Sequence, residues 1–265
     1  MVTPIIQVRH LHNQFGSQVV HHNLDLDVMP GEILSVVGGS GTGKSVLLRS
    51  IVGLNQPQDG RILVAEQELA RLPPRQRTQL EQQMGVLFQQ GALFSSLTVA
   101  ENIALPLIEH RGLSQQQARR VALMKLGLVG LPAHAADKYP NNLSGGMIKR
   151  AALGRALALD PNILFLDEPT AGLDPISAAE FDQLILTLRN ALGLTVFLVT
   201  HDLDTIYTIS DRIAVISQQR VLINDKIQVV SSTPDDWVQA YFHGPRGRAA
   251  QNAQPKHSQN LGEAT

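Results

Sequence analysis

The stretch ILSVVGGSGTGKS, residues 33–45, decides the fold. Ile33 to Val37 is an apolar run of the kind a strand shows when both faces of a parallel sheet are covered. It leads straight into Gly38-Gly39-Ser40-Gly41-Thr42-Gly43-Lys44-Ser45, a match to G-x-x-x-x-G-K-[ST]. From Lys44 to about Gly53, residues Val46, Leu47, Leu48, Ile51 and Val52 give an apolar helical face. A buried strand before the loop and a helix after it separate a phosphate-binding loop from a flexible Gly/Ser turn. The glycines let backbone N–H groups curl around the β- and γ-phosphates of a nucleotide, and the helix N-terminus adds partial positive charge. Lys44 supplies a cation to the same oxygens, and the Ser45 hydroxyl can ligate Mg²⁺.

Outward from this loop the chain alternates. Upstream, IIQVRHL and VVHHNLDLDV read as strands, the second half-exposed by its alternation, and RILVA follows downstream. From Gln67 to Asn142 the composition turns Gln- and Arg-rich, with short helical patterns and MGVLF as the strand candidate. From Ser144 onward come a helix to about Leu159, strand NILFLDE, helix ISAAEFDQLILTLRNALG, strand TVFLVTH, helix DLDTIYTIS and strand RIAVIS. This alternation predicts a parallel, doubly wound α/β sheet with a helical insertion. After Asp225 one helix is expected, TPDDWVQAYFHG, opened by Thr233, and the polar stretch from Pro245 to the end reads as disordered.

Bulk properties narrow the function. The 265 residues are 43% hydrophobic and 17% charged, enough for a sizeable core, and contain no cysteine, which fits a reducing compartment. A formal net charge of −1 gives no basic field that would argue for nucleic acid as the main ligand. No run approaches the roughly 18 apolar residues of a membrane-spanning helix. The N-terminus lacks the layout of a secretory signal, so a cytoplasmic location is expected, with any membrane role coming through a partner.

Chemistry gathers at strand ends. Four apolar residues in NILFLDE bury the strand and hold Asp167 near the Mg²⁺ shell, while Glu168 points differently and can act as general base on a water. His201 ends strand TVFLVTH, at the edge where ligands bind in such sheets. Gln89 ends strand MGVLFQ in the same way, and its amide could meet Mg²⁺ or water. His10, His12, His21 and His22 have no Cys or acid at ligand spacing and read as strand and turn surface. A second glycine-bearing stretch, NNLSGGMIKR at 141–150, opens a helix and raises the question of why one chain needs two loops shaped for phosphate.

GGSGTGKS, FQQ with Gln89, LSGGM at 143–147, ILFLDEP, AGLDP at 171–175 and the TH pair ending at His201 occur in the order and spacing of an ABC-transporter ATPase subunit. The resemblance implies a P-loop NTPase (RecA-like) core with an antiparallel β subdomain and a helical ABC subdomain. It assigns 5–223 to the ATPase domain, with the helical subdomain at approximately 90–160, and leaves 224–265 as a C-terminal helix and tail. It further implies that Phe15 stacks on adenine, that Gln89 couples the site to a membrane partner, and that Asp174 crosses to a second subunit. Lys44, Glu168 and His201 take the catalytic roles, with Ser45, Gln89 and Asp167 around Mg²⁺. Ser144, Gly145 and Gly146 complete the ATP site of the other copy in a head-to-tail homodimer, with Met147 where Gln is usual. The run MGVLFQQGALFSSLTVAENIALPLIEH together with LSGGMIKRAALGRALALDP resembles the phospholipid-transporting Mla branch of that family. That likeness implies a peripheral position on the cytoplasmic face of the inner membrane. Its implied partners are an integral-membrane permease, a periplasmic lipid-binding ring protein reached through it, and a small STAS-domain protein.

Overall fold

The computed structural model describes residues 2–253. In chain order the elements are β1 (Ile6–Phe15), β2 (Gln18–Val28), β3 (Ile33–Gly38), α1 (Lys44–Ile51), β4 (Asp59–Val64), β5 (Gln67–Glu68), α2 (Pro74–Glu81) and β6 (Met84–Leu87). Then come α3 (Val99–Arg111), α4 (Gln115–Leu128), α5 (Gly145–Ala156), β7 (Ile163–Asp167), α6 (Pro175–Leu192), β8 (Thr195–Val199), α7 (Leu203–Ile209), β9 (Arg212–Ser217) and β10 (Arg220–Asp225). Helices α8 (Ile227–Ser231), α9 (Asp236–His243) and α10 (Pro245–Ala253) follow.

The apolar run 33–37 lies where its composition demands. Strand β3 is buried at Ile33 to Val37 and sits inside a six-stranded sheet of order β10-β9-β3-β8-β7-β6. Strands β6, β7, β8, β3 and β9 are parallel neighbours, so their carboxyl ends share one edge. Strand β10 closes the other side as an antiparallel hairpin with β9. A second, antiparallel sheet of order β2-β1-β4-β5 covers one face.

Period-2 alternation divides the core. Along β7, Ile163 and Phe165 face a cluster shared with α1 and the antiparallel sheet, while Leu164 and Leu166 face α3, α5 and α6. Phe165 and Phe197 meet at 5.6 Å in the first layer, where truncation of either to Ala costs about 3–5 kcal/mol. Helices α3 and α4 open with capping boxes, Thr98 with Glu101 and Ser114 with Gln117, which explains why a Gln-rich region still starts its helices at defined residues.

The C-terminal expectations need correction. Three helices follow Asp225 among the described residues, not one. The helix expected to open at Thr233 is capped by Asp235, whose Oδ1 accepts from the Trp237 and Val238 amides at 3.0 and 3.1 Å. Thr233 precedes a proline, which disfavours a helical backbone there. The stretch expected to be disordered is helical over Pro245–Ala253, where Ala250 is buried and α10 packs on α7 and α9. The remainder of that expectation, 254–265, lies outside the described residues. His21, read as surface, is fully buried.

Candidate nucleotide site

At the carboxyl edge of the parallel strands lies a cavity of about 690 Å³, lined by Gly38, Ser40, Gly41, Gly43, Lys44 and Ser45 from the loop and by Gln89, Glu168 and His201 from three other strand ends. The loop can curl only because of its glycines. Gly38 has φ +155° and a Cβ there would fall 2.5 Å from the Ile216 carbonyl oxygen. Gly43 has φ +93°, and a Cβ would fall 2.4 Å from Val20 and 2.5 Å from His21. Asn13 Nδ2 donates to His21 Nδ1 at 3.0 Å, and burial drives the imidazole down to about 4, so a neutral ring backs the loop at working pH.

Lys44 Nζ donates to the Gly38 and Gly39 carbonyls, both at 2.9 Å, and Thr42 Oγ1 donates to the Gly39 carbonyl at 2.9 Å. Partial burial lowers the Lys44 ammonium from its ordinary value, opposed by the charges of Glu168 and Asp167. Ser45 Oγ donates to Asp167 Oδ1 at 2.8 Å, joining α1 to the end of β7. Asp167 is buried, and the next residue turns sharply: Glu168 has φ +49°, a left-handed backbone that few non-glycine residues adopt. The turn aims its carboxylate at His201, whose Nδ1–H donates to Glu168 Oε1 at 2.8 Å. A second cavity of about 580 Å³ lies beyond this pair, bounded by Thr170 to Leu173, Asp202 to Asp204 and two alanines of α10.

Phe15 is half-exposed at the hairpin tip and pairs with Gln18, which lines the cavity, though Phe15 itself does not. Gln89 stands two residues past the end of β6. Asp167 touches the cavity through Ser45. Ser144, Gly145, Gly146 and Asp174 do not line the loop's cavity. Ser144 caps α5, Asp174 caps α6, and a Cβ on Gly145 would meet the Leu173 side chain at 3.8 Å.

Sequence reading missed Lys149. This buried side chain on α5 donates to the Gln89 carbonyl and, at 3.3 Å, to the Glu168 carbonyl. Its signal was a lysine on the face of α5 that also carries Ala152 and Leu153, where a charge has no reason to sit without partners.

The donor set admits a hard cation. Ser45 and Asp167 offer oxygen only, and among the described residues no group of three or more His, Cys, Asp or Glu could cage a metal. That poverty fits a Mg²⁺ whose remaining ligands are phosphate and water.

The family model described as ABC transporter matches residues 21–171. The chain is 40% identical over 240 residues to the Haemophilus influenzae "Intermembrane phospholipid transport system ATP-binding protein MlaF", covering 91% of this chain and 90% of that one. It is 36% identical to the Mycobacterium leprae "Probable ribonucleotide transport ATP-binding protein mkl", over 91% of this chain and 69% of the relative. Among solved structures it resembles the dimeric post-hydrolysis ATP-binding cassette MJ0796 bound to ADP and Pi, with a TM-score of 0.76, 32% identity, and coverage of 84% of this chain and 98% of that one. The match of the family model, a relative 40% identical across nine-tenths of both chains, and a glycine loop that shares one sheet edge with Glu168 and His201 place this protein in the ABC transporter family.

Proposed function

We propose that this chain is the ATP-hydrolysing subunit of an ABC transporter, energising phospholipid transport between the inner and outer membranes of a Gram-negative bacterium through a separate permease. The observation that carries the hydrolytic part is the Glu168–His201 pair, 2.8 Å apart and facing the same cavity as Lys44 and Ser45. The phospholipid part is supported by the name of the Haemophilus influenzae relative.

In this reading the ATP phosphates draw Lys44 from the loop carbonyls, and the loop N–H groups and the start of α1 take the remaining charge. Ser45, Asp167 and Gln89 would hold Mg²⁺, which supplies charge neutralisation at the β- and γ-phosphates. Glu168 accepts a proton from the attacking water, and His201 orients the carboxylate and faces the γ-phosphoryl group. Phe15 stacks on the adenine from the hairpin tip. Residues 5–223 form the ATPase unit, with the helices at approximately 90–160 as the part that meets the permease. Ser144 to Gly146 and Asp174 serve the site of a second copy.

No helix among the described residues is long and apolar enough to cross a membrane. By likeness to the phospholipid-transport relative, the reading puts the chain on the cytoplasmic face of the inner membrane, held by the permease, with a periplasmic lipid-binding ring protein beyond it and a small STAS-domain protein as a further partner. The mycobacterial relative's name supports a second reading, an importer ATPase for a polar solute. Purification of the chain with its membrane partner separates the two. Co-purified phospholipid and ATP turnover stimulated by phospholipid vesicles are expected, and stimulation by a polar solute alone would favour the second.

A further inference from the structure

Helix α9 stands on a buried platform. Val230, Val238 and Phe242 are inaccessible and pack with Val37, the residue that leads into the loop, and with Ile206, Ile213 and Val215. Gln239 Nε2 donates to the Ser231 and Thr233 carbonyls at 3.2 and 2.8 Å, and Asp235 caps the first turn. The helix is thereby fixed relative to the end of β3.

Two rings four residues apart project from it towards the site. Trp237 and Tyr241 stack with centroids 4.6 Å apart and planes at 16°, and Phe242 meets Tyr241 edge-on at 5.1 Å. Tyr241 Oη donates to the His201 carbonyl at 3.0 Å. The Trp237 indole nitrogen lies 3.6 Å from the point a Cβ would occupy on Gly39. One stacked pair therefore bridges the glycine loop at Gly39 and the segment that carries His201.

His201 gains from such a brace. Its side chain is 71% exposed, so packing does not fix the imidazole, and its side-chain tie to Glu168 Oε1 at 2.8 Å holds only while the His201 backbone stays in place. Burial pushes the Tyr241 phenol well above its ordinary range, so it remains a donor throughout neutral pH.

We propose that Trp237 and Tyr241 are positioning residues for ATP hydrolysis, holding the His201 backbone against the P-loop so that the imidazole meets Glu168 and the γ-phosphoryl group together. The inference rests on the roles given above to Glu168 and His201. Nucleotide arriving in the loop is then felt by Trp237, the one tryptophan of the chain.

The test uses the full-length chain in the assembly where it turns over ATP. Tyr241→Phe keeps the stack and removes the donor. It should lower kcat about five- to tenfold while KM for ATP stays within about twofold and the melting temperature holds. Trp237→Phe should lower kcat by less, and Trp237 emission in the unaltered chain should shift on adding MgATP. Gln239→Ala removes two hydrogen bonds on the side of α9 away from the site while the buried Val238 and Phe242 keep the helix seated, and should leave kcat unchanged. Wild-type kcat in Tyr241→Phe, a Trp237 emission that ignores MgATP, or equal losses of kcat, KM and melting temperature in Tyr241→Phe and Gln239→Ala would each overturn the proposal. Glu168→Gln separates the layers. Normal turnover there defeats the site assignment itself, whereas a dead Glu168→Gln beside a normal Tyr241→Phe defeats the brace alone.

Discussion

The two glycine-bearing loops of this chain are built in opposite ways. The loop at 38–45 is stitched into its own chain: Lys44 and Thr42 hold its carbonyls, Ser45 reaches Asp167, and Glu168 and His201 stand over it. The loop at Ser144 has one side-chain tie, from the Met147 amide to the Ser144 hydroxyl at 3.4 Å, and Ser144 and Gly145 are exposed. Asp174 is likewise exposed and spends its carboxylate on the Ile176 and Ser177 amides and the Ser177 hydroxyl. An exposed helix start offers N–H donors and positive potential but neither counter-cation nor lid. The difference teaches that the first loop is nearly closed by its own chain while the second stands open, which suits the proposed reading in which another copy completes it.

The largest expected effect tests the stitched half. Glu168→Gln should cut turnover by about 10²- to 10⁴-fold with ATP still bound, as single-turnover assays against nucleotide binding would reveal. Lys44→Ala should instead weaken ATP binding by about 10- to 100-fold, the cost of charge-assisted bonds to phosphate, measurable by titration calorimetry. Ser144→Arg, on the exposed half, should leave ATP binding to each single chain intact and lower turnover at least about tenfold. If Ser144→Arg weakens binding as Lys44→Ala does, the two loops are not the separate halves described.

Helix α6 carries the same contrast along its length. Hydrogen bonds from Ser177 hold the exposed Asp174 below the ordinary carboxylate range, whereas burial pushes Asp182 up to about 7. Thr205 Oγ1 donates to Asp182 Oδ2 at 2.8 Å while Oδ1 has no partner. The folded state therefore holds the Asp182 proton that the unfolded chain has lost, so this residue's contribution falls as pH rises from about 4 to about 7 and is constant above. Asp182→Asn should remove that slope and raise stability above pH 7 by on the order of a few kcal/mol, read from denaturant melts at pH 5 and pH 8. Met147→Gln should be the mildest change. It adds one polar contact on the exposed loop, with turnover within about threefold of the unaltered chain.

What sequence could and could not give follows from how local each signal is. Strand β3, its loop and α1 were legible because burial, turn and helix face are all written within nineteen residues, 33–51. Asp167, Glu168 and His201 were legible as strand ends, and the parallel order brought them to one edge. The glycine-free turn at Gln218 and Gln219, both at positive φ, hid the β9–β10 hairpin, since Asn-Gly is what such a turn ordinarily displays. Lys149 was hard to place as an interior group because its partners, the Gln89 and Glu168 carbonyls, come from distant segments, and His21 because the turn at Gly43 that lies against it comes from beyond its own hairpin. Helix α10 has an ordinary polar sequence, and what makes it helical is the surface of α7 and α9 beneath it.

The central claim, that one chain carries half of each of two sites, is tested most directly by mixing two inactive chains. Lys44→Ala keeps the Ser144 loop and loses its own phosphate grip, while Ser144→Arg does the reverse. Paired in one dimer, they leave one composite site with both halves defective and one with both halves intact. ATP turnover in the mixture well above the sum of the separate chains is the predicted result. A mixture as inactive as its parts would show that each chain's loops serve its own site, contradicting the account.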